Sequence, residues 1–224
     1  MIHTIGILDT ETGGLDPKVD PLVEVAVAVW SVDDGCLVSC WSDLVLGISN
    51  AAEPVNRIPV AALERGADRA DVLANARAYT GRCNVICAHR AEFDRGFMGD
   101  LGKPWVCTKF ECEWPNVKLG ASLVETCLAL GVGVTHNHRA ITDVLLLARC
   151  FDALFAREGA AGVRAMLDRA MRPRATFEAL VSYEDREQAK AACFQWRPET
   201  KRWVRTMAIE DAEKLPFRTA RVPA

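Results

Sequence analysis

Two carboxylates placed two residues apart follow the first apolar segment of this 224-residue chain. Asp9 and Glu11 come after the apolar residues 5–8 and just before Gly13 and Gly14. On a β-strand, residues i and i+2 lie on one face about 7 Å apart, and two carboxylates held there repel each other unless a cation lies between them. The spacing therefore predicts a divalent-metal site, although an isolated acidic pair at a strand end is commonly just solvated.

Two later acids extend this prediction. Asp94 lies at the start of a predicted helix after the mostly apolar residues 84–88, near the sheet edge where ligands collect. Alternatively, Asp94 is a first-turn acid that complements the helix dipole. Asp143 lies in an otherwise apolar helix. A buried, unpaired carboxylate costs several kcal/mol, so Asp143 is expected to have a charged partner or a metal.

His138 precedes the helix that carries Asp143. Imidazole titrates near neutral pH, so this side chain is a candidate proton acceptor. The ordered pattern D-x-E, F-D and H-x-x-x-x-D, over roughly residues 1–155, resembles the DnaQ-like 3′-to-5′ exonucleases of the DEDDh type, which include proofreading ε-subunits. The resemblance implies an RNase H-like α/β fold whose first three strands form an antiparallel meander.

The same resemblance implies a catalytic constellation. Its metal ligands would be Asp9, Glu11, Asp94 and Asp143, and its general base would be His138. Two Mg²⁺ or Mn²⁺ ions, about 3.5 to 4 Å apart, would activate a water and stabilise the departing 3′ oxygen of a phosphodiester. Hard oxygen ligands suit those ions. The expected product is a nucleoside 5′-monophosphate.

Further residues are predicted to contact the substrate. They are Thr12, Gly13, Leu15, His89, Arg90, Phe93 and Phe97. Many members of the family have Thr at the position of Gly13, so backbone amides at Thr12 and Gly13 are expected to hold the terminal nucleotide. Arg90, where many members have Asn, either contacts a substrate phosphate or pairs with a local acid. The apolar candidates either bracket the terminal base or belong to the core.

Hydrophobic patterning predicts the elements that position these residues. Strands are expected at residues 5–8, 22–30, 37–46, 84–88 and 105–108, with an Asp-Gly turn before the third. Helices are expected at residues 60–65, 71–79, 92–101, 122–130, 139–157 and 161–170. This order favours a mixed sheet with helices on its faces. Glu24, in the middle of a strand, either lies buried near the site or is simply paired.

The pattern changes near residue 172. We predict an exonuclease domain at residues 1–172 and a small basic, Trp-containing α+β module at residues 175–224. Residues 183–203 resemble the motif Y-x-D-R-x-x-A-K-x-x-G-F-x-W-x(4)-K-x-W of modules that accompany nucleic-acid enzymes, with Cys193 in place of the usual Gly. Its aromatic side chains either stack on bases or form the small core.

The distribution of charge bears on how the protein could bind a polyanion, and the cysteines bear on whether it holds zinc or disulfides. The net charge is −3, with 13 basic and 20 acidic side chains in residues 1–154 and 14 basic and 10 acidic in residues 155–224. An acidic body needs metal ions to bind phosphates, while the basic tail either helps to hold a polyanion or is a solvated surface. Nine cysteines without a C-x-x-C pair favour reduced core thiols over zinc or disulfides.

The protein is expected to be soluble and cytoplasmic, because no apolar run approaches the length of a membrane span, about 18 residues. The resemblance implies DNA as the substrate, as a single strand or a frayed 3′ end, in replication or repair, with a DNA polymerase as a possible partner. RNA remains an alternative substrate, since nothing in the sequence recognises the 2′-OH. Two further functional classes fit the sequence, a non-catalytic polymerase-associated subunit that binds nucleic acid and a small-nucleotide phosphodiesterase.

Overall fold

The computed structural model describes residues 1–223, which form two compact units, the first at Met1–Leu167 and the second from Asp168 onward. The first unit is built on a five-stranded mixed sheet and the second on a four-stranded antiparallel sheet. The predicted α/β fold with a small C-terminal α+β module is therefore confirmed.

The sheet of the first unit has the strand order β3-β2-β1-β4-β5. Its strands are β1 (Thr4–Thr12), β2 (Leu22–Ser31), β3 (Cys36–Leu44), β4 (Val85–Ala88) and β5 (Trp105–Cys107). The first three are antiparallel, as predicted, whereas β4 pairs parallel with β1 and β5 pairs parallel with β4. Every residue of β2 is buried, which explains its nearly continuous apolar sequence.

Helices cover both faces of this sheet. They are α1 (Glu53–Asn56), α2 (Val60–Leu63), α3 (Arg69–Gly81), α4 (Ala91–Met98), α5 (Leu123–Ala129) and α6 (Ala140–Ala170). Helix α6 is interrupted at Gly159, where φ is 64°, so the two helices predicted at residues 139–157 and 161–170 are separated as expected. Within residues 1–223, no helix is long and apolar enough to cross a membrane.

The two faces of the sheet pack against different helices. On one face, Leu8 and Val25 pack with Val72 of α3 and Phe97 of α4 in one buried cluster. On the other face, Trp30 packs against Phe151 of α6, with ring centroids 5.6 Å apart. Because side chains alternate along a strand, Asp9 and Glu11 lie on the face opposite Leu8 and therefore on the α6 side.

The second unit has the strand order β7-β8-β6-β9. Its elements are β6 (Arg174–Ala179), α7 (Arg186–Ala191), β7 (Gln195–Arg197), β8 (Arg202–Ala208), α8 (Ile209–Ala212) and β9 (Thr219–Arg221). Hydrophobic patterning predicts a strand at residues 177–181, a helix at residues 185–192 and a strand at residues 202–208 in this unit, and the first of these strands lies nearer the N-terminus than predicted. Strands β7 and β9 and helix α8 were not predicted, because elements of three or four residues are too short to show a hydrophobic period.

None of the nine cysteines, all within the described residues, forms a disulfide. The expectation that they are core thiols is wrong for Cys36 and Cys40, which are exposed. Both lie on β3, an edge strand of the sheet. Because an edge strand has neighbours on one side only, an apolar pattern there does not guarantee burial.

Candidate active site

Carboxylates from a strand and a helix converge at the end of β1. Asp9 and Glu11 extend beyond the part of β1 that pairs with β4, which ends at Ile7. Asp143 reaches them from the first turn of α6. One carboxylate oxygen from each of Asp9, Glu11 and Asp143 lies within 4.8 Å of the other two, which is a spacing that a metal ion could bridge.

Burial and mutual repulsion perturb these acids strongly. Burial, followed by the charges of Asp94 and Asp143, raises the pKa of Asp9 well above its usual value. The pKa of Glu11 is raised to about 8, first by burial and then by the charge of Asp143. Burial also raises the pKa of Asp143 to about 6. Carboxylates that repel one another in a buried site are stabilised in their charged form by a cation.

The two oxygens of Asp143 differ in their contacts. Oδ2 accepts a hydrogen bond from the backbone N–H of His138 at 3.3 Å. Oδ1 is buried and has no hydrogen-bond partner in the part of the chain that the structure describes. A buried carboxylate oxygen without a donor is costly, so it fits a metal ligand. The donor set is made only of carboxylate oxygens, which suits Mg²⁺ or Mn²⁺.

Asp94 is the buried acid at the start of α4. Its Oδ1 accepts hydrogen bonds from the backbone N–H of Thr10 at 3.1 Å and from the Thr10 hydroxyl at 2.9 Å. Burial raises the pKa of Asp94 to about 7, while the bonds from Thr10 lower it. Asp94 is outside the three-residue cluster, but its charge is the largest electrostatic contribution to the raised pKa of Asp9. These bonds hold α4 against β1 beside the cluster.

His138 lies in the loop that leads into α6. Its φ is 63°, a left-handed conformation that non-glycine residues adopt rarely and that often accompanies functional sites. The side chain is exposed, and its ring has no hydrogen-bond partner within residues 1–223. The backbone of His138 is tied to Asp143 while its imidazole is accessible to solvent.

Glu24 is a site residue whose role the sequence left undecided. It lies opposite Glu11 on β2 and is 1% exposed. Its carboxylate accepts hydrogen bonds from Nε and Nη2 of Arg139 at 2.9 and 3.1 Å, from the Ala140 N–H at 2.9 Å and from the Ser42 hydroxyl at 3.0 Å. Glu24 is therefore paired and also lies beside the carboxylate cluster.

The pairing of Glu24 has two consequences for the cluster. The carboxylate caps the N-terminus of α6 through the Ala140 N–H, where the helix dipole favours a negative charge. It also fixes the segment between His138 and Asp143. Like charges directly opposite on neighbouring strands repel each other, and the charge of Arg139 offsets this repulsion by lowering the pKa of Glu11. A lone acid in a ten-residue apolar strand was the sequence signal for this role.

The backbone amide of Gly13, a predicted substrate contact, has a hydrogen-bond partner within the protein. The Gly13 N–H already donates to the Pro21 carbonyl at 2.8 Å, and the Thr12 hydroxyl donates to the Gly14 carbonyl at 2.6 Å. A Cβ atom on Gly13 would lie 2.6 Å from Cγ of Pro21. The proximity of Pro21 thus explains why this position carries no side chain.

His89 is held by internal hydrogen bonds. Its Nε2 lies 3.1 Å from the Ala121 carbonyl and its Nδ1 lies 3.1 Å from the Thr108 hydroxyl. Because a carbonyl only accepts, Nε2 carries the proton, and burial lowers the pKa of this ring to about 4. His89 therefore connects β4 to the segments after β5 as a neutral side chain.

The other predicted substrate contacts differ in accessibility. Phe97 is buried in the core, Phe93 is partly buried against it, and Leu15 is 76% exposed. The exposed Arg90 places its guanidinium carbon 5.3 Å from the centroid of the Phe93 ring. Among the residues described, it forms no ion pair with an acid.

Comparison with known proteins gives separate results for the two units. A family model described as a domain of unknown function, DUF8626, matches residues 175–222. Exodeoxyribonuclease 10 of Escherichia coli is 31% identical over 150 residues, which cover 63% of this chain and 64% of that protein. A solved structure titled Exonuclease X in complex with 5′ overhanging duplex DNA has a TM-score of 0.59 and 27% identity, and covers 74% of this chain and 99% of that one.

The first unit is similar in sequence and fold to exonucleases of the DnaQ-like superfamily. The expected RNase H-like fold is thereby confirmed. The PolC-type DNA polymerase III of Thermotoga petrophila is 29% identical over 160 residues, which cover 66% of this chain but 12% of the polymerase. The chain thus spans between about an eighth and two thirds of these curated relatives.

Proposed function

We propose that this protein is a metal-dependent 3′-to-5′ exonuclease that hydrolyses phosphodiester bonds from DNA 3′ ends and releases nucleoside 5′-monophosphates. The observation that carries the proposal is the convergence of Asp9, Glu11 and Asp143 within 4.8 Å, with a buried Asp143 oxygen that lacks a partner among the described residues. Similarity to Exodeoxyribonuclease 10 and to the Exonuclease X structure supports the type of cleavage.

In this proposal, Asp9, Glu11, Asp94 and Asp143 hold two divalent cations, Mg²⁺ or Mn²⁺. When bound, these ions would polarise the scissile phosphate and stabilise charge on the departing 3′ oxygen. His138 accepts the proton of the attacking water, since its ring is exposed and free of internal hydrogen bonds within residues 1–223. Glu24 and Arg139 hold the segment that carries His138 in place.

Substrate contacts are assigned to the accessible candidates. The Arg90 guanidinium, supported on the Phe93 ring and unpaired with any described acid, binds a substrate phosphate. Leu15, which is exposed, contacts the terminal base. We assign no direct contact to the Gly13 amide, to the His89 ring or to Phe97, because each is used within the protein.

DNA is the proposed substrate because the relative is named an exodeoxyribonuclease and the similar structure contains duplex DNA with a 5′ overhang. A DNA polymerase is the partner that this activity would serve, since the matched segment of the PolC-type relative is part of a polymerase.

The test uses 5′-labelled single-stranded DNA, duplex DNA and RNA with Mg²⁺, with Mn²⁺ or with a chelator. A ladder that shortens stepwise from the 3′ end supports the proposal, and faster cleavage of RNA would identify an exoribonuclease instead. Asp94→Ala and His138→Ala should lose most activity, whereas His136→Ala, an exposed histidine two residues away, should keep it. The proposal fails if no substrate is cut with either metal, or if Asp94→Ala retains full activity.

A further inference from the structure

The hairpin of β7 and β8 carries two tryptophans directly opposite each other. Trp196 and Trp203 are register partners, with ring centroids 5.5 Å apart and an angle of 55° between the rings. Strand β7 is an edge strand of the sheet. It pairs with β8 on one side and has no neighbouring strand on the other side among the described residues.

The two rings have different surroundings. Trp203 packs against the core of the second unit, which is built around Phe177, Phe194 and Met207. Trp196 lies outside that cluster and is 46% exposed. The core is therefore formed without Trp196, while Trp203 supports the exposed ring. An exposed aromatic ring fixed by a second ring is a platform for stacking.

Basic residues are frequent in the same hairpin. The hairpin segment from Trp196 to Trp203 contains Arg197, Lys201 and Arg202 and one acid, Glu199. Arg197 and Lys201 form no ion pair within residues 1–223. Arg202 pairs with Glu178 at 3.1 Å. Unpaired cations in the same hairpin as an exposed ring complement a ligand that combines negative charge with flat apolar groups.

We propose that this hairpin, residues 195–203, binds single-stranded nucleic acid. A base stacks on Trp196, and the adjoining phosphates contact Arg197 and Lys201. Stacking on an indole tolerates any base because every base has a π-face, so the surface would hold a strand without selecting its sequence. The inference adds a surface in the second unit that binds a nucleic-acid strand. Its biological role rests on the proposed exonuclease function, whereas the binding itself does not.

The binding test uses the full-length chain and a fluorescent oligothymidine in a chelator, so that no hydrolysis occurs. Trp196→Ala should weaken binding about tenfold, which is ~1.4 kcal/mol and within the range for base–aromatic stacking. Trp196→Tyr should retain most of the affinity. The Arg197→Gln/Lys201→Gln double variant should flatten the plot of log affinity against log salt by about 1.4, or roughly 0.7 for each phosphate that is no longer neutralised.

Arg221→Gln is the matched charge control, because Arg221 is exposed on β9 at the opposite edge of the same sheet. It should leave the salt slope within experimental error of the wild type. Far-UV circular dichroism and thermal unfolding check that each variant is folded. If the wild type does not bind the oligonucleotide, or if Trp196→Ala binds within twofold of the wild type, the proposal is overturned.

Binding without metal-dependent cleavage by the wild type would instead reject the proposed exonuclease activity and leave the hairpin surface standing. Metal-dependent cleavage by the wild type, together with unchanged binding by Trp196→Ala, would reject the hairpin surface and leave the exonuclease proposal standing. The two proposals can therefore fail separately.

Discussion

The Arg139 guanidinium binds both carboxylate oxygens of Glu24, with Nε to Oε2 at 2.9 Å and Nη2 to Oε1 at 3.1 Å. This two-point contact joins the third residue of a buried strand to the residue that follows His138. Two parallel hydrogen bonds fix orientation as well as distance, so the contact restrains the start of α6. His138 and Asp143 lie on either side of the restrained segment.

Replacing Glu24 by Gln should lower kcat by about ten- to a hundredfold, because small displacements of catalytic groups have effects of that size. KM for an oligonucleotide should change less than about twofold, since Glu24 is buried and does not reach the substrate. Arg139→Lys, which cannot form the two-point contact, should act in the same way. Ser42→Ala removes one hydrogen bond to the same carboxylate and should have a smaller effect. Unchanged kcat in Glu24→Gln would contradict a positioning role.

Stability without metal should fall as pH rises. The folded pKa values of Glu11, Asp94 and Asp143 are raised to about 8, 7 and 6 from 4.5, 3.8 and 3.8, mainly by burial. Raised carboxyl pKa values mean that the folded state holds its protons more tightly, so their stabilising contribution is present below about pH 4 and is lost as pH rises to about 8. Thermal unfolding in a chelator should therefore show a lower Tm at pH 8.5 than at pH 5.5.

Mg²⁺ or Mn²⁺ should raise the Tm more at pH 8.5 than at pH 5.5, because metal ions bind the deprotonated carboxylates. Asp143→Asn removes one of the converging charges and should reduce this metal-dependent gain. An equal gain at both pH values, or an undiminished gain in Asp143→Asn, would argue against a carboxylate metal site.

Gly13→Thr, which introduces the residue common in related exonucleases, should destabilise this protein. A Cβ at Gly13 would lie 2.6 and 2.8 Å from ring carbons of Pro21, and overpacking of this kind costs about 1 to 3 kcal/mol. Chemical unfolding monitored by fluorescence measures the change. Gly133→Ala is the control, since a Cβ at Gly133 would meet no heavy atom of the described residues within 4 Å. Adding Pro21→Ala should restore part of the stability, and no restoration would exclude this clash as the cause.

Cys193→Gly should stabilise the second unit. Cys193 has a φ of 59°, a conformation that disfavours residues with a Cβ by roughly 1 to 2 kcal/mol. Part of that gain is offset because Gly is more flexible in the unfolded chain. Hydrogen exchange of the amides in residues 174–221 of the full-length chain gives the local effect. Cys193→Ala retains the Cβ and should not share the gain; equal stabilisation by both would assign the effect to the thiol.

Much of the fold was predictable because local sequence patterns determine most of its helices and strands. The apolar run of β2, the Asp-Gly turn before β3 and the order of helices and strands are all local properties of the chain. Short elements such as β7 and β9 depend on pairing with distant strands, which a hydrophobic period does not show. The exposure of Cys36 and Cys40 likewise follows from the position of β3 at a sheet edge.

The identity and order of the candidate catalytic residues could be recognised from the linear chain through the resemblance of their motifs to those of the DEDDh exonucleases. Strand spacing by itself indicated only that Asp9 and Glu11 share a face. Which donors and acceptors are already occupied was decided only by tertiary contacts. The Gly13 N–H is bonded to Pro21, the His89 ring is held by residues 19 and 32 positions away, and Glu24 pairs with Arg139 across 115 positions. Such contacts depend on the packing of distant segments, and they determine which groups remain free to bind a metal ion or a nucleic acid.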